Sequence, residues 1–443
     1  AKPNYLKQNS YASPITALAL LSAVTPEHPH YAEVQARLQS YAREMAQTAP
    51  KTVGMGTWTL AYTGIFLAEY YGCTGDASVL PGIQQYSLLI AQSQSMYGTF
   101  GHGPGMARPD GTGRISVAGY GPVNLAGLGT NLALVMGKKA LVAGKQPVDP
   151  QIEAAIQRAA NFFGWYVNKG AIPYGEHLPV LLYHASNGKD QLAAAFFNQL
   201  GNPVATEYFT RLSIAGFPGR EFGHTGQGFS YLWEGMAANI GGPHAAAEYF
   251  KKVQWHLDLA RRSDGSFTYD GTEQYGGGGT SDGTYLGASG YYEISPTASY
   301  VMTFSLPLKR LFITGKQANP ANELSKEKVS NAIRAATYVL DRPKRTITQL
   351  IEDTGEFDPI VRNFAALELA KRKPSSEELA TLRSKLTGPE LNARLGAMQA
   401  LGLLKDKEAM PLIAQRLSKN VEPDLWARAS AAVALRPYGP DAA

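Results

Sequence analysis

The stretch "WTLAYTGIFLAEYYGCTGD", residues 58–76, decides the fold. Trp58, Tyr62, Ile65, Phe66 and Tyr70 recur at three- and four-residue steps, which line one face of an α-helix, and a glycine-bearing turn closes the run. The same spacing predicts helices over 78–94, 124–141, 151–167, 191–201, 204–216, 228–240, 244–262 and 298–315. They alternate with Gly-rich loops, and no alternating stretch is long enough to build a sheet. Successive helical hairpins must bury their apolar faces on one another, and a closed set of hairpins does so. The expected fold is all-α: an α/α toroid whose irregular loops converge on one rim. A straight solenoid is the alternative.

Outward from that run, 443 residues with 44% hydrophobic content suit two or three globular domains. No window approaches 18 uninterrupted apolar residues, so no membrane span is expected. The start, "AKPNYLKQNSYASP", lacks the layout of a signal peptide, so the chain reads as a mature or trimmed form. One cysteine, Cys73, excludes an internal disulfide and a cysteine-based zinc site. A net charge of +5, with Lys and Arg scattered, argues against nucleic-acid binding. Tyr (24) and Gly (46) cluster before residue 300 in loops such as "MYGTFGHGPG" and "IPYGEH". Each pair reads as turn chemistry or as a stacking surface for a polar ligand.

Of the 77 charged residues, 35 fall in the last 123 positions, about twice the density of the rest. This marks a boundary near 320, with domains expected at 1–320 and 321–443. The tail repeats: "VRNFAALEL" at 361, "ARLGAMQAL" at 393 and "ARASAAVAL" at 427 align Arg362 with Arg394 and Arg428, and Leu369 with Leu401 and Leu435. The pattern resembles HEAT-type repeats, which stack paired helices into a solenoid and often bind a protein partner.

Several motifs together resemble an uncharacterised bacterial family, a domain of unknown function often found behind a PDZ-like domain. They are "FLAEYY" (66–71), "YGTFGHG" (97–103), "GYGPVN" (119–124), "WYVNKGAIPYGEH" (165–177), "GHTG" (223–226), "DGSFTYDG" (264–271) and "LPLKRLFITGK" (306–316). The resemblance covers roughly the first 320 residues. It implies an α/α toroid of the terpenoid-cyclase and glycan-processing shape, HEAT-like helices behind it and an exported protein, with no established reaction. Two departures stand out: no PDZ-like region precedes Ala1, and "QGFSYLW" follows "GHTG" where an Asn-rich version is more usual. Either the chain is a trimmed product or it belongs to a branch with a different ligand.

Candidate chemistry gathers in the loops. Glycoside hydrolysis needs an acid and a base or nucleophile, commonly two carboxylates. Glu176 beside His177, and Glu221 three residues before His224, supply such a pair with histidines to assist. Tyr174, Arg220, Arg114, Asn124, His102, Tyr120 and Trp58 are expected to contact a carbohydrate substrate. Asp264 and Asp282 are competing carboxylates, although Asp-Gly is also a common turn dipeptide. A polysaccharide lyase would instead use His224 or Tyr174 as base, with Arg220, Arg114 or Asn124 neutralising a uronate. No HxH or HExxH spacing occurs among the histidines, so no metal and no cofactor are expected. A terpene-cyclase role lacks its Asp-rich motif. A non-catalytic glycan- or protein-binding scaffold is the remaining class.

Overall fold

The computed structural model describes residues 12–48, 56–115, 121–175, 178–184, 188–219, 226–267 and 296–442. The described chain is all-α, with a single two-residue hairpin, Met106–Ala107 paired with Arg114–Ile115. The helices are α1 (Ala12–Ala23), α2 (Tyr31–Gln47), α3 (Gly56–Thr74), α4 (Leu80–Ser93), α5 (Asn124–Ala143), α6 (Pro150–Gly164), α7 (Lys189–Leu200), α8 (Pro203–Ala215), α9 (Gly226–Ile240), α10 (Gly242–Leu259) and α11 (Pro296–Phe304). After them come α12 (Lys326–Asp341), α13 (Ile347–Asp353), α14 (Pro359–Leu369), α15 (Ser376–Ser384), α16 (Leu391–Leu404), α17 (Ala409–Gln415) and α18 (Leu425–Leu435). Among the described residues no helix is long and apolar enough to cross a membrane.

Two compact units divide the chain. The first comprises residues 1–165, 172–178 and 185–329, and the second comprises 166–171, 179–184 and 330–443. In the first unit, α3 is buried at every position from Gly56 to Tyr70 except Thr59, and α5 at every position from Asn124 to Gly137. A helix apolar on all sides needs neighbours on all sides. α1 packs on α3, α3 on α5, α5 on α7, α7 on α9, α9 on α11, and α11 returns to α1. α2, α6 and α10 bury one stripe each, such as Ile152, Ala155, Ile156, Ala159 and Phe163 of α6. They therefore pack with a single face inward and the other in solvent.

Small residues set the closest approach. A methyl group at Gly64 of α3 would lie 2.9 Å from Cβ of Ala133 on α5. Gly129 faces Ala61 in the same way, so the two helices run parallel. Asp149 and Asn202 cap α6 and α8, each followed by a proline at the first helical position. The helix expected over 298–315 ends at Phe304. Pro307 follows, and Lys309 turns left-handed at φ +50°. The two carboxylate oxygens of buried Glu69 on α3 accept the N–H groups of Phe312 and Ile313, each at 2.9 Å. This joins the motifs "FLAEYY" and "LPLKRLFITGK".

In the second unit, α14, α16 and α18 pack in sequence, with α13, α15 and α17 beside them. The repeat has a repeated bond. Arg362 Nη1 donates to the carbonyls of Glu356 and Phe357, Arg394 Nη1 to Gly388 and Pro389, and Arg428 Nη1 to Glu422 and Pro423. Each arginine thus clasps the turn that delivers its own helix.

Candidate functional site

The N-terminal ends of α3, α5, α7 and α9 are stitched together through the loops between them. The loop after α4 is fastened first. Asn131 Nδ2 of α5 donates to Gly98 O (3.1 Å), and Gln94 bridges Asn131 and Ala155 O. Phe100 O then accepts the N–H of Val123, one residue ahead of α5 (2.8 Å). His102 O accepts the N–H of Thr57 in the first turn of α3 (3.1 Å). Helix N-termini carry N–H groups without intrahelical partners, and here a loop carbonyl satisfies one of them.

His102 is half-buried, with Trp58 beside it. The indole Nε1–H donates to His102 Nδ1 at 2.9 Å, and the rings stack at 6.1 Å. An acceptor Nδ1 places the proton of the neutral imidazole on Nε2. Trp58 is only 4% exposed and stacks on Phe229 of α9 at 5.0 Å. Phe229 in turn meets Tyr62, whose hydroxyl accepts from Trp233 Nε1 at 3.0 Å. Trp58 therefore orients His102 and links α3 to α9. Its buried indole is not an open stacking face.

Asn124 and Tyr174 also come together. The Asn124 N–H donates to Tyr174 O (2.9 Å), and Asn124 Nδ2 donates to Pro173 O (3.0 Å). Buried Asn124 Oδ1 has no hydrogen-bond partner among the described residues. Two residues before Tyr174, the Ile172 N–H donates to Asp190 Oδ1 in the first turn of α7 (3.0 Å). Gly188 then adopts φ +76°, where a Cβ would press within 3.0 Å of Phe229 O, so α7 and α9 meet at a glycine.

Lys189 opens α7 and is 4% exposed. Burial pushes its pKa down, and the charge of Asp190 opposes the shift. A buried cation at the positive end of a helix runs against both solvation and the helix dipole. Sequence reasoning missed it. The available signal was a lysine in a first turn, where acidic residues are the favoured choice.

The other expected residues fall elsewhere. Arg114 is exposed on the hairpin, and its Nε donates to Gly105 O (2.8 Å), three residues past His102. Asp264 is exposed and accepts from Ser266 N and Oγ at 2.9 and 2.6 Å, forming a turn with Gly265 at φ +83°. The Ser266 hydroxyl, and after it the Ser266 N–H, holds the Asp264 carboxyl below its ordinary range. Nothing in this turn touches the group around His102. Glu176, His177, Tyr120, Arg220, Glu221, His224 and Asp282 lie outside the described residues.

A family model described as Domain of unknown function (DUF6288) matches residues 3–315. No curated protein and no solved structure matches the chain.

Proposed function

The chain belongs to the DUF6288 family, and from that premise we propose that its first unit is an α/α toroid that cleaves a poly- or oligosaccharide by hydrolysis. The site lies at the N-terminal ends of α3, α5, α7 and α9. Glu176 and Glu221 act as acid and base, and His177 and His224 assist proton transfer. The cyclic order of contacts from α1 through α11 supports the toroid. The repeated arginine clasp supports a HEAT-like stack behind it, and export goes with the family resemblance.

One observation carries the placement of the site. Hydrogen bonds join the loops at 100–102, 123–124, 172–174 and 188–190 along one end of the first unit. In sequence, Glu176 and His177 follow Tyr174 by two and three positions, and Glu221 and His224 lie five and two positions ahead of Gly226, where α9 starts. Helix N-termini gathered at one end favour polar or anionic groups, such as the carboxylates of Glu176 and Glu221. Half-buried His102 and Tyr174 supply hydrogen-bonding groups that a sugar needs.

A lyase reading draws on the backbone bond that holds Tyr174 next to Asn124 in the chain fold, since elimination needs a base near an amide or cation. The two reactions part in one screen. Neutral and uronic-acid polysaccharides are incubated with the protein, and both new reducing ends and the absorbance of unsaturated products are followed. Hydrolysis yields reducing ends without the absorbance, lost in Glu176→Gln and Glu221→Gln. Absorbance lost in Tyr174→Phe replaces hydrolysis with elimination. Binding without product, unchanged in Glu221→Gln, replaces both with a glycan-binding scaffold.

A further inference from the structure

The candidate site uses the N-terminal end of α9. The opposite end of that helix borders an open groove of about 760 Å³, all of it within the first unit. One wall is a stripe of α10: Pro243, Ala246, Phe250, Gln254 and Leu257 recur at three- and four-residue steps, so they share one face over a length of about 21 Å. The facing wall is the end of α11 and the chain after it, with Phe304, Leu306, Pro307, Ala318 and Pro320. Phe304 is 52% exposed, and Ile240 and Phe250 are half-buried, so apolar surface stays open to solvent along the groove.

The polar residues gather at one end. Asn239, in the last turn of α9, donates from Nδ2 to Thr314 O at 3.2 Å. A Cβ on Gly315 would lie 2.9 Å from that nitrogen and 3.9 Å from Cγ of Lys309. At Gly242, which opens α10, a Cβ would lie 2.7 Å from Cγ of Glu323. Asn239, Lys309 and Glu323 therefore gather around the turn from α9 to α10. Phe250 and Thr303 meet instead at Gly235, about one helical turn back along α9, and Leu257 lies about two turns beyond Phe250 on α10. The groove is thus charged at one end and apolar beyond it.

Lys309 and Glu323 are both exposed, and among the described residues neither side chain makes a hydrogen bond or an ion pair, with the other or with a neighbour. A cation and an anion left unpaired in one groove, with apolar walls leading away from them, complement a ligand that carries both charges on its head and an apolar tail behind. An uncharged sugar has neither.

We propose that this groove binds a single-tailed zwitterionic amphiphile. Its anionic group pairs with Lys309, its cationic group pairs with Glu323, and its tail lies along the α10 stripe between Phe250, Leu257 and Phe304. The groove is separate from the candidate site, so the proposal goes beyond the hydrolase reading and does not rest on it.

Isothermal titration of the full chain tests this with dodecyl betaine, whose head holds a carboxylate and a quaternary ammonium, and with dodecyl maltoside, whose head is uncharged, both kept below their micelle concentrations. The native protein should bind the betaine saturably with one-to-one stoichiometry, at least about tenfold tighter than the maltoside. Lys309→Met and Glu323→Gln should each weaken the betaine by at least about threefold and leave the maltoside unchanged. Ala246→Phe fills the groove and should abolish binding of both. Should Ala246→Phe lose native helix content by circular dichroism, the two charge variants decide alone. The proposal is overturned by the absence of saturable betaine binding, by equal affinity for the two amphiphiles, or by native betaine affinity in either charge variant. A native dimer in sedimentation that Ala246→Phe splits would also overturn it and assign the groove to a second copy of the chain.

Discussion

Arg362, Arg394 and Arg428 reach back five and six residues to the carbonyls ahead of their own helices. In the first unit, Ile172 ties to Asp190 over 18 positions, Trp58 to His102 over 44, and Asn124 to Pro173 over 49. Glu69 reaches Phe312 over 243. The contrast separates two ways of holding a loop. A clasp of five or six residues closes little chain and forms together with its own helix turn. A tie across 44 or 243 residues exists only once intervening helices have packed, because each such closure costs entropy that burial must first offset. The second unit is therefore held repeat by repeat, and the first is held by its closure.

The strongest way to break this contrast is at Arg394. Besides its local clasp, it forms a two-pronged pair with Glu422, which is fully buried. Arg394→Ala should lower stability by about 3 to 5 kcal/mol, because it takes both prongs from a buried carboxylate and leaves it only the more distant Arg416, at 3.7 Å. Arg428→Ala removes bonds to carbonyls and should lose about 1 to 2 kcal/mol. Denaturant titration of the two variants measures the difference, and equal losses would mean that the local clasp alone holds the repeat.

Next in size is Glu69→Ala in the first unit. It leaves two buried N–H groups, Phe312 and Ile313, without an acceptor, for a loss of about 2 to 4 kcal/mol in the same titration. A loss below about 1 kcal/mol would show that the distant tie adds nothing to helix packing.

The pH-dependent contributions of Glu69 and Asp358 should have opposite signs. Burial raises Glu69 to about 7, against the pull of two backbone N–H groups and of Lys316 and Lys139. A carboxyl raised in the folded state contributes stability at low pH that is lost as pH climbs through about 7. Asp358 differs. Burial by itself would raise it, but His184 and the N–H groups of Val361 and Ile360 hold it below its ordinary value of 3.8. Its contribution is present above that value and is lost as pH falls through the lowered one. Relative to the native protein, Glu69→Gln should gain stability between pH 5 and about 8, and Asp358→Asn should flatten the acid limb below about pH 4. Thermal melts across that range check both.

The smallest effect is at the candidate site. Trp58→Phe removes the indole donor to His102 Nδ1 and should lose about 1 kcal/mol of stability. Nitrogen NMR of the imidazole should show His102 leaving the pure Nε2–H tautomer. An unchanged tautomer would remove Trp58 as the residue that orients His102.

Much of the helix pattern could be read in advance, and its failures have particular causes. α3, α5, α6, α8 and α9 fall where apolar spacing places them, because burial repeats with the helix period. The run 298–315 was read through Pro307, which ends the regular N–H ladder. α1 was not read at all. "ASPITALALLSA" is apolar on nearly every side and shows no single face. Yet it is the helix that joins α11 back to α3. Of the residues named for the candidate site, Trp58 meets His102 and Asn124 meets Tyr174. Lys189 looked like a surface lysine until burial singled it out. The place of 166–171 and 179–184 in the second unit was invisible because their partners Asp358, Arg362 and Asp424 lie more than 170 positions along the chain.

By itself the sequence determined what short range decides: helices from the spacing of apolar residues, and the C-terminal repeat from the alignment of Arg362, Arg394 and Arg428. Only the tertiary structure decided which helix ends meet, that Trp58 is buried behind His102, and that a segment from the middle of the chain lies on α14 and α18. Those outcomes depend on contacts between residues tens to hundreds of positions apart. Their partners are chosen by packing and closure, and no local pattern records that choice.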